Sequence, residues 1–339
     1  MKQGISSHEI GGKMHLYKNG PWDKLEEVAR LRDDNGKRLL VPIVGSGFNN
    51  QAQSKLENGK KQDSWDNLLG EVALDIGVNV KHLLCMKKKS NISVWEQIIV
   101  RMAGSQNVQA NKCEEELQKS VQKILMENRR IKSDYYKKFI GYGFRDIVSL
   151  NFDLELRGSR RIHLKLNTEE RFGLPEDAEP LYRVANNFGT RIWYPHGDIQ
   201  KYKTIKLGVR KYGVYCKYID NSVSKFKAQD KSKKIGDKLK KLEEALNQYS
   251  KHDQFSWVTL VMSSPLVFLG CGLTNDEWPI LWALHQRNRN KARIKCDLAP
   301  GFILTNKVED AVRFESLGLI PLCCNSWEEG WGRIDSILE

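Results

Sequence analysis

The chain has 339 residues, 40% of them hydrophobic and 29% charged, enough to bury one large α/β core or two smaller ones. It holds no run of about eighteen apolar residues, so no membrane-spanning helix is expected. Its net charge of +13 raises the question of nucleic acid, but the two basic clusters, Lys81 to Lys89 and Lys225 to Lys241, lack the regular aromatic interleaving of a single-strand platform. A solvated insertion or a surface for an acidic partner fits them better.

Met1 to Lys18 lacks the apolar core of a secretory signal and reads as a polar arm, which makes the cytoplasm the expected location. Helical spacing then begins at Pro21 and carries Trp22, Leu25, Val28 and Ala29 up to Arg32. A strand follows at about Arg38 to Val44 and runs into Gly45-Ser46-Gly47. After a polar turn at Gly59 to Asp63, Trp65, Leu68, Leu69, Val72 and Ile76 share one helical face, with Ser64 placed to cap. Further helices are predicted at about Ser93 to Met102, Cys113 to Asn128 and Asp134 to Tyr142. The second strand, Asp146 to Phe152, therefore lies beyond a helical block at about 60–143, too long for a simple crossover. That block reads as a helical module inserted into a sheet domain.

A polar helix or loop and Pro175 to Pro180 lead to a third strand at Arg191 to Pro195. Thr204 to Gly208 reads as a short strand and Tyr212 to Tyr218 as β-prone. The lysine-rich stretch at about 221–252 reads as a charged surface helix. Strands are then predicted at 265–270, Gly301 to Leu304 and Leu319 to Cys323. Helices alternate with them: one opened by Thr274, Asn275 or Asp276, one at Asp310 to Leu317, and a last at Trp327 to Leu338. Such alternation predicts an α/β fold with a doubly wound, mainly parallel, Rossmann-like sheet. The division is residues 1–37 as arm and helix and 38–339 as the sheet domain.

Several strands deliver chemically useful residues at their carboxyl ends, where open α/β sheets place ligands. Gly45-Ser46-Gly47 could bring backbone N–H groups close to a pyrophosphate, although the third glycine of the dinucleotide fingerprint is replaced by Asn50. No G-x-x-x-x-G-K-[ST] occurs, which excludes an ordinary P-loop ATPase. Asn151 ends the second strand, where its carboxamide could orient a ribose hydroxyl and a water. Asp153 follows on the same side of an extended chain. His196, ahead of Gly197, is the one histidine at the end of a predicted central strand and the natural general base. The seven cysteines (85, 113, 216, 271, 296, 323 and 324) form no C-x-x-C pair, so no zinc ribbon is expected.

The order Gly45-Ser46-Gly47, Ser64-Trp65-x-x-Leu68-Leu69, Leu150-Asn151-Phe152-Asp153, His196-Gly197-Asp198 and Leu269-Gly270-x-Gly272-Leu273 resembles the sirtuin-like family. It is most similar to the divergent bacterial branch of NAD hydrolases in antiphage defence, over roughly residues 38–330. Lys206-Leu207-Gly208 with Tyr212 adds to that likeness. The resemblance implies a loop of Gly45, Ser46, Gly47 and Phe48 against phosphate and ribose, and Asn151 and His196 as the catalytic pair. It implies Asp153 on the nicotinamide side, Gly270, Gly272 and Leu273 along the adenosine half, and Asn306 at the adenine ribose.

Two departures bear on the activity. Asn49-Asn50-Gln51 follows Phe48 where protein deacylases carry Pro-Asp-Phe-Arg, and their four zinc-binding cysteines are absent. Gly272 also stands where the family usually has serine. The implied reaction is NAD cleavage rather than lysine deacylation, with NAD as substrate and no zinc. The implied setting is a homo-oligomeric effector, or one controlled by a translocase-like ATPase or a nucleic-acid-guided protein. A non-hydrolytic NAD or ADP-ribose sensor and a basic nucleic-acid-binding protein are the alternatives.

Overall fold

The computed structural model describes residues 20–54, 65–79, 90–127, 134–158, 160–165, 173–229, 256–294 and 299–339. Among them one sheet contains β1 (Val41–Val44), β2 (Asp146–Ser149), β3 (Ile162–Leu164), β4 (Arg183–Asn187), β5 (Thr190–Trp193), β6 (Leu266–Leu269), β7 (Gly301–Thr305) and β8 (Ile320–Cys323). Their order across the sheet is β3-β4-β5-β2-β1-β6-β7-β8. The stretch from β5 to β8 is parallel, with Ile43 level with both Val148 and Phe268. β4 and β3 extend it antiparallel. β1, β2 and β6 are buried along their whole length, which is why β1 and β6 read as nearly unbroken apolar runs, while β2 carries apolar residues only between Asp146 and Ser149.

Alternate strand residues feed two cores, one on each face. Val44, Ile147, Tyr194, Leu269 and Leu304 pack with α1 (Pro21–Ala29), α2 (Ser46–Ser54), α3 (Trp65–Asp75), α4 (Asn91–Gln106), α5 (Ala110–Glu127) and α6 (Asp134–Gly141). Ile43, Val148, Trp193, Phe268 and Ile303 pack with α7 (Gly208–Gln229), α8 (Trp257–Ser263), α9 (Trp278–Ile294) and α10 (Ala311–Ser316). The final helix, α11 (Trp327–Leu338), returns to the first face through Trp331, Ile334 and Leu338. All of α2 to α6 lies between β1 and β2 in chain order. No described helix is long and apolar enough to cross a membrane.

Arg38 ties the first face together. Its buried guanidinium donates to the carbonyls of Ala29, Tyr142 and Leu338, near the carboxyl ends of α1, α6 and α11. Those carbonyls have no partner within their own helices, and a cation there also meets the negative end of each helix dipole.

Three expectations are corrected. Tyr212 to Tyr218 is not β-structure but part of α7, because Tyr212, Tyr215, Ile219 and Val223 recur at helical spacing and are all buried. Thr204 to Gly208 is no strand; a 3-10 turn (Tyr202–Thr204) leads into an extended link. The stretch before β5, read as a polar helix or loop, contributes β3 and β4 instead. A two-residue turn, Phe188-Gly189, with both φ positive (50° and 77°), closes the β4–β5 hairpin. The basic run Lys81 to Lys89 lies outside the described residues, as does the lysine-rich segment beyond Gln229.

At the amino end of β2, Asp146 is fully buried and accepts from Arg191 at 2.5 and 2.6 Å, from Trp193 Nε1 at 2.9 Å and from Arg145 at 3.1 Å. Burial alone would raise its carboxyl. The Arg191 and Arg145 charges and the hydrogen bonds override this and hold it below the ordinary value. Because the folded value is depressed, the pair's stability is complete above the unfolded carboxylate range and is lost as pH falls through the acid range. Asp146→Asn is therefore expected to lower stability at neutral pH by about 3–5 kcal/mol, since it strands two arginines. Urea unfolding should show that gap closing as pH falls towards ~3.

Candidate active site

β1, β2, β5, β6 and β7 all open onto one edge of the sheet, and the singled-out residues sit just past their carboxyl ends. The chain steps outward from β1 through β2 to β5 in one direction, and through β6, β7 and β8 in the other. The order thus reverses between β1 and β6, the position at which open α/β sheets carry their ligand crevice.

At that reversal the two strand-end loops touch. Gly45 N–H donates to Leu269 O at 3.1 Å and Gly47 N–H to Gly270 O at 3.0 Å, while Phe48 N–H returns to Gly45 O at 3.0 Å. A Cβ on Gly45 would lie 2.7 Å from Gly270 O, and one on Gly47 would lie 2.8 Å from Gly270 Cα. The glycines therefore let two backbones meet. The N–H groups of Gly45, Gly47 and Phe48 are turned to protein carbonyls rather than to an open phosphate cradle. Ser46 begins α2. The Phe48 ring points away from the crevice into an aromatic cluster with Tyr135, Tyr136, Phe139 and Trp331.

Asn151 is anchored to the same loop, its Nδ2 donating to Gly45 O at 3.1 Å. That bond fixes which way the amide faces and directs Oδ1 to the other side. Asn151 and His196 each lie three residues beyond a matched pair, Val148 and Trp193, on adjacent parallel strands. Phe152 bridges them: its ring meets the His196 ring edge-on, with centroids 6.4 Å apart. Asp153 turns to the first face, accepting from Asn49 Nδ2 at 2.7 Å and from Glu155 N at 3.1 Å, and Asn49 in turn accepts from Tyr136. It is a loop anchor in this structure. Asp198 is likewise committed, buried against Arg183.

His196 is 2% exposed. Its Nε2 lies 3.1 Å from Glu277 Oε2, and its buried Nδ1 has no hydrogen-bond partner. Tyr212 stacks on its other side at 5.8 Å and continues to Trp278 at 6.3 Å. Burial, then the nearby Glu277 and Asp276, pushes the Tyr212 hydroxyl well above its ordinary range, so it stays protonated. Gly197 has φ +80°, and a Cβ there would lie 2.0 Å from Thr204 O, so the link after His196 folds back onto its own loop. Lys206 N–H closes that loop on His196 O at 2.8 Å. The Lys206 ammonium is buried on Asp177 at 2.6 Å, and burial pushes it down to about 8 although Asp177 opposes the shift.

On the β6–β7 side, Gly272 and Leu273 present their carbonyls to Arg313 at 3.0 and 2.6 Å, and Leu273 adopts φ 45°. Asn306, past β7, keeps a buried Oδ1 without a hydrogen-bond partner. A surface cavity of about 440 Å³, bordered by Asp75, Met102, Glu116, Lys119 and Lys123, lies at the far end of α4 from Asn91 and is not part of this crevice. Among the described residues no group of three or more His, Cys, Asp or Glu could hold a metal ion.

Sequence reasoning missed Glu277 altogether and read Asp276 only as one possible opening of a helix. Asp276 accepts from Ser90 Oγ at 2.5 Å and Asn91 N–H at 2.8 Å, capping α4. Glu277, next along, reaches His196. The available signal was the acidic pair itself, placed in the loop between β6 and α9. No protein-family model matches this chain, and a search of curated proteins returns no match.

Proposed function

We propose that this chain is a sirtuin-like NAD hydrolase that releases nicotinamide. The reading takes the sheet as doubly wound and Rossmann-like; the order of the six parallel strands is compatible with a dinucleotide lying across the β1–β6 boundary. The observation that carries it is His196: a buried imidazole with one nitrogen on a carboxylate and the other unpartnered, beside an asparagine held to a glycine carbonyl. A protein needing only to bind NAD has no use for a buried, unpartnered base, so catalysis is favoured over the sensor reading. The backbone N–H groups committed within the glycine loops leave dinucleotide contacts to loop surfaces and side chains, among them the unpartnered Asn306 Oδ1.

Breaking the nicotinamide–ribose bond builds positive charge on the sugar while nicotinamide leaves as a neutral base, so no general acid is required. The protein has to hold the ribose, exclude bulk water and present one attacking water. Asn151 Oδ1 holds that water or a ribose hydroxyl, and His196 takes the proton as the new C–O bond forms. Phe152, Tyr212 and Trp278 supply the apolar wall. The biological setting we propose is antiphage defence, with the chain acting as a homo-oligomer or through a partner protein.

Purified full-length chain incubated with NAD is expected to release nicotinamide and ADP-ribose in equal amounts, without any acylated peptide. Raising salt should leave dinucleotide binding largely intact, whereas phosphate-driven nucleic-acid binding would collapse. Intact NAD after incubation alone and with the products of adjacent genes would overturn the reading.

A further inference from the structure

We propose that Glu277 is a positioning residue that fixes the tautomer of His196, placing the ring proton on Nε2 and making Nδ1 the basic atom of the site. An ionised carboxylate only accepts hydrogen bonds, so a neutral imidazole whose Nε2 lies 3.1 Å from Glu277 Oε2 must carry its proton there. Nδ1 is then the nitrogen with the lone pair, and it is the one that is buried without a partner. The opposite tautomer would leave Nε2 and the carboxylate as two facing acceptors and bury an N–H donor with nothing to receive it.

The surroundings hold this pair in place. Asp276 is fastened to Ser90 Oγ and to Asn91 N–H, so the backbone leading into Glu277 is tied to the amino end of α4. Trp278 opens α9 and packs on Tyr212, whose ring lies against His196, so the imidazole is walled by Phe152 and Tyr212. The main chain of His196 is fixed separately by Lys206 N–H. A preformed orientation of this kind costs nothing at the moment of reaction. When Nδ1 takes a proton, the imidazolium that forms already has its counter-charge on the far nitrogen, which is how a carboxylate assists a histidine base.

The catalytic half of this inference rests on the NAD-hydrolase reading; the tautomer does not. The test uses the full chain labelled with 15N-histidine, its long-range 1H–15N correlations recorded at neutral pH, with His196 assigned by the signals lost in His196→Gln. The expected result is a single Nε2–H tautomer for His196. Glu277→Ala and Glu277→Gln should both give mixed tautomers, because neither an empty site nor an amide that donates as well as accepts enforces one. Glu277→Gln preserves size and covers the case in which the alanine variant fails to fold. In nicotinamide release, both variants are expected to lose at least tenfold in kcat with KM little changed. An Nδ1–H tautomer in the parent protein, or a spectrum unmoved by either substitution, would overturn the assignment. The expected tautomers without NAD cleavage by the parent would uphold the role of Glu277 and remove the hydrolase reading instead.

Discussion

His196→Ala and Asn151→Ala are each expected to lower nicotinamide release by about 10²–10⁴-fold while leaving the chain folded. The two losses have different origins. In the proposed reaction His196 would supply the proton acceptor, through a nitrogen that has no other hydrogen-bond partner. Asn151 supplies position: without Nδ2 on Gly45 O, nothing fixes the orientation of its acceptor oxygen. His196→Ala should therefore depress the rate at every NAD concentration, and Asn151→Ala should depress kcat with little change in NAD affinity. Because His196 is buried and its removal strands Glu277, His196→Gln is the closer control for size, and it should be as inactive as alanine. Thermal unfolding and titration with NAD would separate lost chemistry from lost fold. Near-normal NAD consumption by both alanine variants would sink the pair.

The parts of this site that the sequence makes legible share one property: they sit where a buried parallel strand ends. Arg38 to Val44 and 265–270 read as strands because both faces of the sheet are covered and the runs are mostly apolar, and Asp146 to Phe152 through Ile147, Val148, Leu150 and Phe152. Gly45, Asn151 and Gly270 follow from the ends of those strands, and His196 from the end of β5. What was not legible came from chain pairing across distance. β3 and β4 are short and mixed in character, and β3 is an edge strand, so propensity gave no warning of them. The Phe188-Gly189 turn was the readable trace. Tyr212 to Tyr218 misled because aromatic residues favour strands, whereas the spacing of Tyr212, Tyr215, Ile219 and Val223 is helical.

Glu277 was hidden for a different reason. Its partner is 81 residues away in sequence, and a glutamate before a helix is ordinary on any surface. Asp153 has partners that its sequence position did not suggest. Its place two residues after Asn151 suggested a ligand contact, yet the chain bends after β2 and its carboxylate serves Asn49 and Glu155. Sequence proximity to a site residue is weak evidence when the backbone leaves the strand between them.

Gly270→Ala is expected to cost on the order of 3–5 kcal/mol from added backbone strain and overlap. Gly270 has φ +65°, which penalises any side chain, and its Cβ would lie 2.2 Å from Phe48 N and 2.5 Å from Gly47 C. Those are backbone atoms, so no side chain can swing aside. The β1 and β6 loops would have to part, breaking Gly47 N–H to Gly270 O and loosening the Gly45 carbonyl that anchors Asn151. Domains are stable by only about 5–15 kcal/mol, so such a loss should lower the urea midpoint steeply and remove NAD cleavage together. Gly272→Ala provides the contrast two residues on. Gly272 has no positive φ, its nearest neighbour to a new Cβ is Thr274 Cγ2 at 3.6 Å, and stability should change by less than about 0.5 kcal/mol. Gly272→Ser, which restores the residue usual in the resembling family, should be equally tolerated. If Gly270→Ala unfolds at the same urea concentration as Gly272→Ala, the close meeting of the two loops is not what holds Asn151 in place.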